Sequence, residues 1–186
     1  MGNVENITSG PSSLFLAPVT IAVPTLSGAQ ADFAGFDTPG FTIDGVEWDY
    51  TPTFKDYNVD EKLAPIQKRI TAHKLVASAK LAEVTLKNIG YALAGATFNG
   101  TDETTVGSPE LPPLFRLGWM GQSPLGGTRQ ALVFRVVSIA ASKIHYQRKD
   151  MASLNVQFEA LSDSAQPSIQ DLAIYKDFPA IPFSIG

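Results

Sequence analysis

Among the 186 residues there are two histidines, His73 and His145, and no cysteine. Disulfides and thiolate metal sites are therefore excluded, and imidazole chemistry has two places to occur. The histidines stand on separate segments, without the HExxH or comparable spacing that turns two ligands toward one metal. Each reads as an ordinary strand residue. The carboxylate pairs Asp60-Glu61 and Asp102-Glu103 fall in polar loops, where adjacent side chains diverge into solvent and suit solubility better than acid–base catalysis. The run GQSPLGGT, residues 121–128, is as rich in glycine as a phosphate-binding loop, but Gly127 occupies the place of the lysine such a loop needs. It reads as a glycine-rich turn. KIHYQRK, residues 143–149, interleaves basic and aromatic side chains as nucleic-acid contacts do, although it reads more simply as a strand end or turn. Asn6-Ile7-Thr8 and Asn99-Gly100-Thr101 match the glycosylation acceptor, which matters only in a secretory pathway that nothing else in the sequence supports. No nucleophile, base and orienting group can be named together, so neither an enzyme nor a cofactor or metal site is expected.

The elements that would position these residues are mostly strands. With 15 Gly and 13 Pro the chain is heavily punctuated by turns, and long helical patterns are absent, which favours a mainly β architecture. Asp44-Gly45, flanked by Phe41-Thr42-Ile43 and Val46-Glu47-Trp48, predicts a two-residue type I′ hairpin turn, since both residues tolerate positive φ. After Pro52 the run TFKDYNVDEKLAP is polar and irregular, and predicts a loop over about 50–65 closed by Pro65. Residues 66–81 read as extended, with Leu75, Ala77, Ala79 and Leu81 on one parity and Lys68, Lys74, Ser78 and Lys80 on the other. In AEVTLKNIGYALAG the period changes. Leu86, Ile89 and Leu93 would share one helical face against a sheet, with Thr85 as N-cap and Gly95 just past the end. Residues 98–113 read as a loop on an outer or end surface. Strands follow over 114–120, 128–143, 151–161 and 172–177. The second of these is apolar on both parities and so central. The third alternates, with Ala152, Leu154, Val156, Phe158 and Ala160 inward and Ser153, Asn155, Gln157 and Glu159 on a wet face.

At 186 residues, 44% hydrophobic and 17% charged, the composition is that of one globular domain. No apolar run approaches the roughly 20 residues of a transmembrane helix, and the N-terminal stretch lacks the basic region of a signal peptide. The net charge of −4 conceals blocks. Residues 41–62 carry six acids against Lys55 and Lys62, whereas residues 63–94 carry Lys68, Arg69, Lys74, Lys80 and Lys87 against Glu83. Such blocks fit solvated loops, and they also fit self-complementarity, in which the acidic 44–61 loop of one copy meets basic strand edges of another.

The segment GVEWDYTPTFKDYNVDEKLAPIQKRITAHKLVASAKLAEVTLKNIGYALAG resembles the central signature of the major tail tube proteins of long-tailed bacteriophages. The resemblance rests on Asp44-Gly45, the Val59-Asp60 loop, Leu81-Ala82-Glu83 and the helix start Thr85-Leu86-Lys87-Asn88. LNVQFEALSD and DLAIYKDF are similar to that family's closing strands. What the resemblance implies is a tail-tube-type β-sandwich or half-barrel with one short flanking α-helix. It also implies six copies closing into a ring and rings stacking into the virion tail tube, the conduit for DNA ejection. Implied partners are further copies of the chain, tape-measure, tail-terminator and tail-tip proteins, and double-stranded DNA in passage, with assembly in the host bacterial cytoplasm. Contractile and non-contractile tails are not separated by it. The rival class is a small β-sandwich binding module, for virion decoration or glycan binding.

On this reading the subunit or ring-stacking interface comprises Trp48, Tyr50, Phe54, Asp56, Tyr57, Asp60, Glu61, Lys68, Lys74 and Lys80. Aromatics gathered in a polar segment want a partner surface. Strand parity would place Trp48 and Tyr50 inside the sandwich, leaving Phe54 and Tyr57 as the stronger interface residues. Ser153, Asn155, Gln157 and Glu159 are the candidate lumen lining, a stripe without cations on which phosphates find no grip; an outer solvent face suits the same stripe equally. That expectation requires Lys68, Lys74 and Lys80 to lie off the same face. Residues 1–30 and 179–186, apolar patches broken by prolines, read as extended N- and C-terminal arms flanking a single domain over 31–178.

Overall fold

The computed structural model describes residues 12–58, 64–107, 111–123, 126–140, 153–163 and 172–178. Nine strands and one α-helix follow in chain order: β1 Ser13–Pro18, β2 Thr42–Tyr57, β3 Gln67–Leu81, α1 Leu86–Ala92, β4 Thr97–Phe98, β5 Thr104–Thr105, β6 Leu114–Gln122, β7 Thr128–Ser138, β8 Leu154–Ala160 and β9 Ala173–Phe178. The protein is mainly β, built on a seven-stranded antiparallel sheet in the order β1-β6-β7-β8-β3-β2, with β9 as a further partner of β7.

β7 holds this arrangement together. Its first half pairs with β9, from Thr128↔Phe178 to Val133↔Ala173, and its last residues pair with β8, from Val136↔Ala160 to Ser138↔Phe158. One strand thus serves three neighbours, and its run from Gln130 to Phe134 is buried throughout. Side chains of β1, β6 and β7 share one core with those of β3, β8 and α1: Leu14, Leu16, Leu117, Val133 and Val136 with Leu75, Leu81, Tyr91, Val156 and Phe158. On the opposite face of β1 and β7 lies a second core of Phe15, Leu26, Phe33, Leu132 and Phe134. Phe33 stacks on Phe15 with ring centroids 4.6 Å apart. A Cβ at position 118 would collide with the Phe33 ring, which is why β6 carries glycine there.

Because both its faces are covered, β1 buries Leu14, Phe15, Leu16 and Ala17 consecutively. This part of the expected N-terminal arm is therefore an integral strand; residues 1–11, like the C-terminal arm 179–186, lie outside the described residues. Polar anchors fix the segment after β1. Arg116, 8% exposed, donates to the carbonyls of Ile21 (2.8 Å), Val19 (3.1 Å) and Phe134 (2.8 Å) and pairs with Asp163 at 3.4 Å. Gln130, fully buried, accepts from the Gly28 N–H at 3.1 Å and donates to the Ala29 carbonyl at 2.9 Å.

The helix begins as its sequence predicts. Thr85 Oγ1 accepts from the Asn88 N–H at 3.1 Å, satisfying one of the unpaired donors of the first turn. Its buried face only partly matches the expected one, since Ile89 packs against the main core but Leu86 does not. Leu86 is 46% exposed, while Asn88, Gly90, Tyr91 and Ala92 are buried. The reason is polar: Asn88 Nδ2 donates to the carbonyls of Pro39 (2.8 Å) and Glu83 (2.9 Å), turning that residue inward. Tyr91 OH donates to Asp37 at 2.7 Å, and Lys87 Nζ lies 2.7 Å from the same carboxylate. Burial alone would raise the Asp37 pKa, but the hydrogen bonds from Lys87 and Tyr91 and the Lys87 charge hold it below the usual carboxylate range. The Tyr91 hydroxyl is pushed up, first by burial and then by Asp37. The expected 98–113 loop is partly ordered as a small β4–β5 hairpin, whose Asn99 side chain accepts from the N–H groups of Thr101, Asp102 and Glu103.

Candidate functional site

Asp44 and Gly45 do take positive φ, 64° and 80°, yet they form no hairpin turn. β2 runs through them: Ile43 pairs with Lys80 and Val46 with Ala79, so the two residues are a bulge opposite an uninterrupted β3. The loop expected after Pro52 is also corrected. β2 continues to Tyr57 and turns back through β3 from Gln67, so Phe54, Asp56 and Tyr57 lie in a strand. A second bulge, at Thr71 of β3, separates Thr53↔Ala72 from Phe54↔Ile70.

The result is a hairpin far longer than the sheet that supports it. β8 pairs with β3 only over Val76–Leu81, and from Gln67 to Lys74 every β3 residue is exposed. Opposite them, every residue from Thr53 to Tyr57 is exposed as well. This distal ribbon carries large apolar side chains, Phe54 (54% exposed), Tyr57 (40%) and Ile70 (48%), with Tyr50 (54%) open at its base. Alternation sets Phe54 and Tyr57 on opposite faces, and Lys55 Nζ sits 5.8 Å from the Tyr57 ring centroid. Asp56 and Lys68 pair with each other at 3.5 Å within the hairpin, so neither stands as an unpaired charge for a neighbour. Asp60 and Glu61 lie outside the described residues.

At the hairpin's root is an aromatic cleft of about 270 Å³ lined by Trp48, Tyr50, His73, Leu75, Leu172 and Tyr175, with Ala173 behind them. Trp48 and Tyr175 meet edge to face at 5.6 Å, and the Tyr50 and His73 rings are 6.4 Å apart. Trp48 is half-buried against the main core, as strand parity predicts. Tyr50 is not inside the sandwich; it stands as open as Phe54. Burial on the cleft floor pushes the Tyr175 hydroxyl up to about 12, while half of that residue's surface stays open.

The register also assembles the opposite, polar face. Lys80 pairs with Asn155, Ser78 with both Glu47 and Gln157, and Val76 with both Asp49 and Glu159. Asn155, Gln157 and Glu159 therefore share a face with Lys74 and Lys80, contrary to the expectation that the lysines lie elsewhere. The charges are compensated, however. Lys74 Nζ is 3.0 Å from Glu159, and Glu47 and Asp49 stand on the same face. A shallow depression of about 260 Å³ at the bulge is lined by Asp44, Glu47, Ser78, Lys80, Asn155 and Gln157. Ser153, just before β8, is half-buried.

His73, which the sequence presents as an ordinary strand residue, joins the apolar surface with Ile70 and Tyr175, and Glu47 and Asp49 join the polar face; no sequence signal marks these residues for a site. The β2–β3–β8 register is what brings them in. Among the described residues there is no group of three or more His, Cys, Asp or Glu placed to hold a metal ion, and no helix long and apolar enough to cross a membrane.

No family model matches the chain, and no curated protein matches it. Among solved structures, a chain of one described as the tail of an empty GTA particle computed with helical refinement, C6 symmetry, is similar at 10% identity over 88% of this chain and 96% of that chain, with a TM-score of 0.38. A likeness at that level fixes neither fold family nor function.

Proposed function

We propose that the protein is a structural subunit that polymerises into the tail tube of a phage-type particle, as stacked hexameric rings forming a conduit for DNA. The observation that carries the reading is the distal β2–β3 ribbon. A two-stranded hairpin with nothing packed on either face is marginal in water, and this one presents Phe54, Tyr57 and Ile70 to solvent. Burying them against a second copy would supply both the ribbon's missing support and an association free energy. The family resemblance of residues 44–95 supports the same assignment from sequence.

On this reading the β2–β3–β8 polar face is the bore. Weak contact with DNA then follows from acids that offset Lys74 and Lys80, rather than from a stripe free of lysine. The cleft lined by Trp48, Tyr50 and Tyr175 favours a second reading, a module that stacks a glycan or similar ring on aromatic side chains. Negative-stain electron microscopy of the purified protein over a concentration and salt series tests the first reading. Tubes or stacked rings with a stain-filled centre support it, whereas discrete monomers under every condition, together with saturable glycan binding, favour the second.

A further inference from the structure

The main sheet ends in β1 on one side and β2 on the other, and an edge strand offers unpaired N–H and C=O groups to any further strand. The two edges are finished differently. On β1 the Leu16 N–H donates to the Asp37 carbonyl at 2.8 Å, and the Leu16 carbonyl accepts from the Asp37 N–H at 2.7 Å. Since Leu16 faces outward, alternation makes Leu14 and Pro18 the other outward positions, with Phe15 and Ala17 bonded toward β6. Pro18 has no N–H, and its carbonyl accepts from Ile21 at 3.0 Å. Two of the three outward positions of this edge are thus closed.

The closing segment is itself clamped by one side of α1. Tyr91 and Lys87 hold the Asp37 carboxylate, each at 2.7 Å, and Asn88 holds the Pro39 carbonyl at 2.8 Å. Tyr91 in turn meets Phe115 of β6 edge to face at 5.2 Å. β2 has no counterpart to this. Pro52 cannot donate to β3, so its nitrogen faces outward, and so do the backbone groups of Val46, Trp48 and Tyr50. Among the described residues no backbone hydrogen bond reaches that edge from elsewhere in the chain.

We propose that Asp37 is an edge guard, a single-residue partner strand locked by Tyr91, Lys87 and Asn88, which closes β1 to strand addition and makes the sheet one-sided. The guard stands independently of the tube reading, because it concerns which edge is shut, not what the open one meets.

The test uses the full chain as wild type, Asp37→Ala and Tyr91→Phe, with residue-resolved amide hydrogen exchange and thioflavin fluorescence. Expected in Asp37→Ala is at least tenfold faster exchange at Leu16 with Phe15 and Ala17 unchanged. Irregular thioflavin-positive aggregates should form where the wild type gives none. Tyr91→Phe keeps the ring and shows the same two effects more weakly, and it decides the matter alone if Asp37→Ala does not fold. Both effects are required. Unchanged Leu16 exchange, equal loss at Leu16, Phe15 and Ala17, or selective loss without altered association each overturns the proposal.

Discussion

Replacing Phe54 and Tyr57 together by serine separates a ribbon that serves assembly from one that serves the fold. Phe54 is 54% and Tyr57 40% exposed. With roughly 200 Å² for an aromatic side chain, these fractions leave about 110 and 80 Å² open. At about 25 cal/mol per Å², burying both in a contact would contribute at most about 5 kcal/mol. Association entropy and imperfect fit reduce what is realised, and half of that ceiling still corresponds to about a 60-fold weaker contact. The monomer, by contrast, loses only cross-strand contacts such as Phe54 with Ile70, worth about 0.2–1 kcal/mol each. Thermal melting of the double variant at low concentration should therefore lie within about 4 °C of the wild type. Sedimentation velocity across a concentration series should show assembly beginning at least tenfold higher. A collapsed melting temperature would place the two rings in the fold's support, and an unchanged assembly threshold would remove the ribbon from the interface.

Three further outcomes follow from the geometry. Arg116→Met should lower stability by about 3–5 kcal/mol, because its buried pair with Asp163 is broken and three carbonyls lose a donor; chemical denaturation measures it, and a loss under 1 kcal/mol would contradict the anchoring role. Gly118→Ala should cost about 1–3 kcal/mol by driving a methyl group into the Phe33 ring, and an unchanged melting temperature would contradict that close contact. The folded-state pKa values of Asp32, Asp37 and Asp177 are depressed. Their contribution is thus present above the unfolded value of about 3.9 and lost as pH falls through the folded values. The melting temperature should accordingly hold from pH 7 to 5 and fall below about pH 4, with a shallower fall in Asp37→Asn; an equal slope in that variant would take Asp37 out of the linkage.

What the sequence made legible was local. The Thr85 cap, the two-faced apolar pattern of β7 and the alternation of β8 depend on neighbours a few residues away, and each appears in the structure. Asp44-Gly45 shows where local reading stops. The pair requires positive φ in a hairpin turn and in a two-residue bulge alike, and only the distant partner β3 distinguishes them. Leu14-Phe15-Leu16-Ala17, hidden among prolines, reads as an arm because its second covering layer, around Phe33, comes from a segment with little periodicity of its own. The helix face departs from its hydrophobic period at Leu86 for a related reason: Asn88 turns inward to reach the Pro39 carbonyl, a contact no such period records, while Ile89 packs on the core as expected. Lys74 and Lys80 joined the polar face only through the β3–β8 register, so the candidate site was legible residue by residue and not as a surface.

Electron microscopy of the unmodified protein, from low to high concentration and at two ionic strengths, tests the central claim most directly. Hollow tubes or stacked six-fold rings, shifted to at least tenfold higher concentration in the Phe54→Ser, Tyr57→Ser variant, are the predicted result. Particles that stay single at every concentration and salt, with or without those rings, would contradict it.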